Sequence, residues 1–577
     1  MFYRSKYLSM LLSGTFTMAM SYLMLLCDNI VAGIFIGSEG VAAINLVSPL
    51  TNMAISVSIC VSVGASILYT RAIGEMRRDR ADRLYGMDLI VSCILAFLGL
   101  LILLVFKDLY YMSTGAAGEI LSLSSEYYSF LPFNTAVLIM AGFMEEMIYT
   151  DGDGFLVSLS YVSQIGGNIL LSILLVLFMG IRGIMLGTLI GNLTALTVLL
   201  THFFRKSNTL HFVPYFKWKT LFEFVKYSIT DGITYLLWGI TNYCLISYIS
   251  RHFGKEYLVV LAVAMVVIEL AVVFDGIGMG IQPLLGVYYG ERNHLLIRRL
   301  MKDAVVTAII EGVTASIMLF VFAGQFVMLF GIRDAAVLES AVNAVRIMSV
   351  TLTATSLFAL MTSYYLYMDH VEISVGAIIL KDGVMYLTLP ILFAGLFGVN
   401  GIWIGFAFAP IMGMALSMLI VRIRVGEKEF PEILDFMKSE IIVYDTVLTP
   451  ENMTETSEKI QENVREKGYP GDIVLKTGLF AEEIGATIRE KNGDKKVMVE
   501  YSLLFDKDTS GEDGEANGSV RLVIRDSGIV FDITDPDLEV SGLSSFVVNG
   551  LLNAQKEKDY IPTTGYNRNV IRFYKTS

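Results

Sequence analysis

The chain has 577 residues, 54% of them hydrophobic and 17% charged, with a formal net charge of −12. Apolar runs long enough to cross a bilayer recur as far as Arg424, which excludes an ordinary soluble enzyme or binding module for that part. From Gly426 onward there are 29 Asp/Glu and 18 Lys/Arg, so −11 of the −12 lies in a polar tail, which excludes a nucleic-acid-binding tail.

The first apolar run follows Arg4 and Lys6; it is too long for a secretory leader and lacks a small-x-small cleavage site, so it reads as a retained first span. Twelve spans are predicted, near 8–37, 42–70, 86–106, 126–149, 156–179, 183–204, 226–251, 257–289, 303–331, 338–367, 372–396 and 399–423. Arg77, Arg78, Arg80 and Arg83, then Arg205, Lys206, Lys217 and Lys219, then Arg292, Arg298, Arg299 and Lys302 fill one set of loops. Positive loops stay cytoplasmic, so a multi-pass plasma-membrane protein with both termini and the tail inside the cell is expected. Cys27, Cys60, Cys93 and Cys244 fall in predicted spans without metal-ligand spacing, and no disulfide framework or metal site is implied.

The apolar part is written twice. Gly74-Glu75 ends one apolar stretch before a basic loop, and Gly290-Glu291 ends another 216 positions later. Asp151 returns as Asp369, and Gly180-x-x-Gly183-x-x-x-Gly187 as Gly398-x-x-Gly401-x-x-x-Gly405, both at an offset of 218. Two homologous six-helix lobes, 1–210 and 211–425, are expected, and duplicated halves are characteristic of secondary transporters. A linker over 426–435 leads to a soluble domain over 436–577.

In that domain a strand is predicted from Lys438 to Val447, then a helix capped by Thr449-Pro450. A second helix runs from about Asp472 to Glu490 and stops at Asn492-Gly493. Strands near 496–505 and 520–525, a short helix near 543–553 and a last strand near 570–574 complete an α/β sandwich.

Charged groups in hydrocarbon are costly, so those inside spans are functional candidates. Asp28 sits deep in the first span with no basic residue within a helical turn and suits a group that loads and releases a proton. Glu269 and Asp275 in the eighth span are candidates for the substrate cavity, and Glu145 and Glu146 lie close enough to a span end to reach water. Gln282-Pro283 marks an expected helix break whose freed carbonyls would line a cavity. Lys381 and Asp382 are adjacent, so each is expected to face its own partner.

Asp28-Asn-Ile-Val-Ala-Gly33-Ile-Phe-Ile-Gly37 with Ala42-Ala43 and Pro49, Tyr149-Thr-Asp151-Gly152-Asp153 with Asn168-Ile-Leu, and Leu396-Phe-Gly398-Val-Asn-Gly401-Ile-Trp403 resemble the multidrug and toxic compound extrusion (MATE) family over about residues 5–424. The resemblance implies an α-helical polytopic fold of twelve helices in two lobes, and rocking exchange of a drug-like or metabolite substrate for H⁺ or Na⁺. It places Asp28 on the first-helix coupling acid and Asn168 on the nearby fifth-helix asparagine. The acid that many members carry one turn later is Ser172 here, and the seventh-helix glutamate of another subgroup has no counterpart. Flippases for lipid-linked or polysaccharide precursors share the superfamily and remain an alternative.

In the tail, Glu482-Glu483-Ile-Gly-Ala-Thr487, Asp526-Ser-Gly528-Ile-Val-Phe531-Asp532, Gly542-Leu-Ser-Ser-Phe-Val-Val and Thr563-Thr-Gly565-Tyr-Asn567 resemble, over about 435–577, a histidine-kinase-type ATPase domain of the anti-sigma-factor kind. Glu483 and Thr487 stand on its metal-binding helix, Asp526 and Gly528 in its adenine box, Gly542 in its phosphate-side box and Gly565 near its end. The resemblance implies an ATP·Mg²⁺ site, with Thr487 replacing the Mg²⁺ asparagine and Ser544 a phosphate-box glycine. All five histidines (202, 211, 252, 294 and 370) precede the tail, so no phosphoacceptor helix accompanies it. Two readings follow. One is an antiporter, not an enzyme, that needs no cofactor for transport and carries a cytoplasmic regulatory domain with a protein partner. The other is a membrane-anchored signalling protein whose tail binds or phosphorylates an anti-anti-sigma-like partner.

Overall fold

The computed structural model describes residues 2–114, 118–205, 207–254, 257–328, 335–426, 430–434, 439–493, 495–506, 518–529, 558–560 and 566–574. The first lobe comprises α1 (Phe2–Phe35), α2 (Ser38–Gly74), α3 (Arg78–Val105), α4 (Lys107–Thr114), α5 (Gly118–Tyr127), α6 (Leu131–Thr150), α7 (Gly154–Met179) and α8 (Ile181–Leu200). The second comprises α9 (Trp218–His252), α10 (Tyr257–Glu269), α11 (Asp275–Gly290), α12 (His294–Val321), α13 (Ala323–Met328), α14 (Ala335–Ser349), α15 (Leu352–Tyr367), α16 (Val371–Ile378), α17 (Tyr386–Phe397) and α18 (Val399–Val425). Among the described residues eight helices are long and apolar enough to span a membrane, and the pair α14–α15, bent by 45°, makes a ninth. The other predicted spans correspond to α1, α9 and the pair α10–α11.

The duplicated motifs do matching work in each lobe. Gly180 and Gly398 adopt φ of +60° and +63° where α7 turns into α8 and α17 into α18, a conformation that glycine alone adopts freely. The Gly74 and Gly290 backbones meet each other: a Cβ on Gly74 would lie 2.3 Å from the Val287 carbonyl oxygen, and one on Gly290 would lie 2.3 Å from that of Arg71. The two repeats therefore touch through their own signature glycines.

This contact defines a closed end. There one apolar core takes residues from both lobes, including Tyr7, Tyr69, Phe224, Ile281 and Tyr365. Farther along, each lobe has its own core: one around Val31, Tyr127 and Ile184, the other around Leu245, Val263 and Trp403. The lobes thus share one core at the end bearing the N-terminus and have separate cores toward the opposite end.

Two breaks differ from expectation. Helix α11 runs through Pro283, and the interruption of the eighth span is a 3₁₀ turn over Leu270–Phe274. Helices α16 and α17 are joined by a π-helical turn over Ile379–Met385, a feature that often marks a functional position.

Among its described residues the soluble domain has a five-stranded antiparallel sheet, β1 (Glu440–Val447), β2 (Met498–Asp506), β3 (Ser519–Asp526), β4 (Lys558–Tyr560) and β5 (Asn567–Tyr574), in the order β1-β2-β3-β5-β4. Helices α19 (Pro450–Glu466) and α20 (Gly471–Asn492) cover one face. The caps fall where the sequence placed them: the Thr449 hydroxyl accepts from the Asn452 amide at 3.2 Å, and Gly493 ends α20 at φ +58°. Strand alternation sends Tyr501, Leu503, Leu522, Ile524 and Ile571 toward the helices. It sends Leu504, Val523 and Val570 to the other face, where Met76 packs on them from the first lobe. The short strand β4 was not predicted, and the predicted helix near 543–553 lies outside the described residues.

Candidate ion site and soluble-domain contact

Asp28, on α1, is gripped from three other helices. The Tyr127 hydroxyl donates to its Oδ2 at 2.5 Å, and the Asn168 amide to Oδ1 at 3.1 Å. Thr188 Oγ1 lies 2.8 and 2.9 Å from the two carboxylate oxygens. Around this shell the Asn168 amide also reaches Thr188 at 3.1 Å, and the Ser172 hydroxyl donates to Asn168 Oδ1 at 3.0 Å. Asn168 and Ser172 are buried, and no basic side chain pairs with Asp28 among the described residues. Among the described residues, neutral donors alone therefore hold the carboxylate. The fold joins the sequence candidates Asp28 and Asn168. Ser172, noted as a departure, steadies the asparagine. Tyr127 and Thr188 gave no signal, because tyrosine and threonine are common in spans.

Gln282 sits inside the continuous helix α11 and not at a break. It is buried, and its amide donates to Glu146 Oε1 at 2.7 Å and to the Ser66 hydroxyl at 2.8 Å, while Ser66 donates to the same Glu146 oxygen at 2.6 Å. Since α11 belongs to the second lobe and α2 and α6 to the first, this is a polar tie across the closed end. Glu146 reaches Gln282 and Ser66, while Glu145 accepts from Tyr161 at 3.0 Å.

Glu269 and Asp275 flank the 3₁₀ turn and are both exposed. Asp275 lies within electrostatic reach of Lys381 and Asp382. Contrary to expectation, those two neighbours pair with each other at 2.9 Å, because the four-carbon stem of Lys381 curls its ammonium back to the adjacent carboxylate. The ammonium also lies 4.5 Å from the Phe358 ring centroid and 5.4 Å from that of Tyr386. Lys381→Met is expected to lower stability by about 3–5 kcal/mol by stranding Asp382, and Lys381→Met/Asp382→Asn to recover most of it. Thermal unfolding in detergent checks this, and equal losses in both variants would dissolve the pair.

In the soluble domain Thr487 is buried and donates to the Glu483 carbonyl at 2.9 Å. Asp526 ends β3, and its Oδ1 accepts from the Gly528 amide at 2.9 Å and from Asn567 at 2.8 Å. Asn492, at the end of the helix carrying Glu483 and Thr487, accepts from the Ile529 amide at 2.9 Å. The Glu483 helix and the Asp526–Gly528 turn thus form one unit; Gly542 and Gly565 lie outside the described residues. Asp526 Oδ2 is buried and without a hydrogen bond among the described residues.

Burial pushes the Asp526 carboxyl up to about 6, from an ordinary 3.8. Because the folded value is the higher one, this group favours the folded domain below about pH 4, and that contribution is lost as pH rises through about 6. Relative to Asp526→Asn, the native domain is expected to lose stability across this window in denaturation of the full-length protein; parallel curves would remove Asp526 as the cause.

Opposite its helices, the sheet meets the closed end of the lobes. Glu291, buried at the end of α11, takes the Arg568 guanidinium at 2.6 Å and also pairs with Arg525. Arg525 bonds Glu500 at 2.6 Å, and all four side chains are fully buried. Arg568 also reaches the Ile73 and Gly74 carbonyls at 3.4 and 3.3 Å. Glu75, the repeat counterpart of Glu291, instead lies near Arg77 and Arg80 in its own loop.

A family model described as MatE matches residues 15–174 and 233–381, all within the two lobes. The multidrug export protein MepA of Staphylococcus aureus (strain MRSA252) is 22% identical over 392 residues, 67% of this chain and 86% of the relative. An outward-facing multidrug resistance MATE family transporter of the MOP superfamily superposes with a TM-score of 0.68 at 22% identity, over 73% of this chain and 95% of that one. A MOP superfamily transporter from Pyrococcus furiosus Vc1 (DSM3638) gives a TM-score of 0.67 at the same identity and coverage.

Proposed function

Because this chain belongs to the MatE family, we propose that it is a secondary efflux transporter that exchanges a drug-like or metabolite substrate for H⁺ or Na⁺. The observation that carries this reading is the Asp28 site, an intramembrane carboxylate held by Tyr127, Asn168 and Thr188 without a basic partner among the described residues. The Tyr127 and Thr188 hydroxyls can each turn from donor to acceptor and so receive the hydrogen of a protonated carboxyl without moving a heavy atom, whereas Na⁺ would also need Asn168 to turn its oxygen inward. Glu269 and Asp275, exposed beside the break in the eighth span, are the proposed substrate contacts. In proteoliposomes loaded with a lipophilic cationic dye, an imposed pH gradient is expected to drive dye transport and a Na⁺ gradient is not. The reverse result would assign Na⁺, and transport under neither gradient would refute cation coupling.

The soluble domain is proposed to regulate transport and to bind an adenine nucleotide. Its seat on both lobes supports the first part, and the open Asp526 Oδ2 acceptor beside the Glu483 helix supports the second. Calorimetry of ATP·Mg²⁺ with the full-length protein and Asp526→Asn tests this: binding lost in the variant supports a nucleotide site, and no binding to the native protein refutes it.

A further inference from the structure

The contact between sheet and lobes is placed where alternating access has to act. For the opposite end to close, the closed end has to open, and α2 has to leave α11 at the Gly74–Gly290 contact. From the sheet, Arg568 bridges that seam: it holds Glu291 at the end of α11 and the Ile73 and Gly74 carbonyls at the end of α2. It cannot keep both sets of bonds once the helix ends separate.

The two attachments differ in strength. On the second-lobe side the domain is joined covalently through the linker, which Arg298 holds at Glu432 at 2.5 Å, and by the buried Glu291–Arg525–Arg568 group. On the first-lobe side it makes long hydrogen bonds to two carbonyls, a bond from the Phe2 amide to Asp445 at 2.9 Å, an edge contact of Phe2 with Tyr566, a contact of the Lys6 ammonium with the Tyr566 ring at 5.9 Å beside Asp526, and the packing of Met76. The first-lobe attachment is the one that can release at lower cost.

We propose that the soluble domain is a clasp: it stays with the second lobe, and its release from the Ile73–Met76 end of α2 is a required step each time the closed end opens. The inference rests on the transporter reading above. It also gives that reading a route of control. Arg525 faces Arg568, and Asp526 faces Asn567, as adjacent register pairs of β3 and β5. A ligand engaging Asp526 therefore acts one residue from the clasp.

The test is a disulfide between the first lobe and the sheet, Met76→Cys/Val570→Cys, in a chain whose native cysteines are replaced by serine or alanine. The starting chain is expected to transport in proteoliposomes; no transport by it or by the native chain would refute the transporter reading and the clasp that rests on it. Given transport, the linked protein is expected to stop and to recover fully on reduction. Undiminished turnover with the link verified by mass spectrometry would overturn the proposal. A second variant, Arg568→Met, keeps the packed stem and removes the bonds across the seam. It is expected to raise thiol labelling of a buried reporter, Ala65→Cys, severalfold; unchanged labelling would count against the clasp.

Discussion

Replacing Asp28 by asparagine is expected to leave a folded protein that binds substrate while its gradient-driven efflux falls to the level of empty vesicles. The amide is nearly isosteric and keeps one acceptor for Tyr127 and Thr188, so the four helices around it should still assemble. What it loses is the charge that, in the proposed function, alternates between an ion-loaded and an ion-free state. Binding by equilibrium dialysis and flux in proteoliposomes separate the two effects. Near-native efflux would remove Asp28 from the coupling mechanism, and loss of binding as well would make its role structural. Thr188→Val probes the same shell, because it deletes the hydroxyl that reaches both carboxylate oxygens.

Glu291→Ala is expected to be the most damaging change at the domain contact. It removes the shared partner of Arg525 and Arg568 and leaves two buried guanidinium groups with a single acid, Glu500. Breaking a buried pair in this way costs about 3–5 kcal/mol, enough to undock the sheet. Limited proteolysis of the full-length protein is expected to cut the region after Arg424 much faster than in the native chain. Glu291→Gln, which can still accept from Arg568, is expected to fall between. Equal cleavage of all three would show that the contact does not hold the domain in place.

The parts of the fold visible in the sequence were those with local or repeated signals. The Gly74-Glu75 and Gly290-Glu291 motifs announced a duplication, and the structure adds that the two glycines pack against each other. Thr449, Pro450 and Gly493 set helix ends by local chemistry, so they could be read directly. The interruption at Leu270–Phe274 contains neither glycine nor proline, whereas Pro283 drew attention to a turn that stays helical. Register shifts of this sort are set by packing between helices, and a single sequence carries little trace of them.

The same contrast holds at the sites. Asp28 stood out because a lone acid in an apolar run is costly. Its partners at 127, 168 and 188 come from distant helices, and the MATE resemblance pointed only to Asn168. Gln282 drew attention as part of an expected helix break; the helix continues there, and its amide ties the lobes together through Glu146 and Ser66. Lys381 and Asp382 were separated by reasoning from regular helix geometry and are joined by a flexible side chain on a π-helical turn. The Glu291 group could not be foreseen, since its acid and its arginines lie more than two hundred positions apart.

Cation exchange at Asp28 is tested most directly by watching the ion itself. Proteoliposomes holding a pH-sensitive dye in the lumen, with no imposed ion gradient, are given an inward gradient of transported substrate. The native protein is expected to move protons in the opposite direction to the substrate, and Asp28→Asn to move none. Substrate flux without proton movement in the native protein, and without Na⁺ movement in the parallel isotope measurement, would contradict the account.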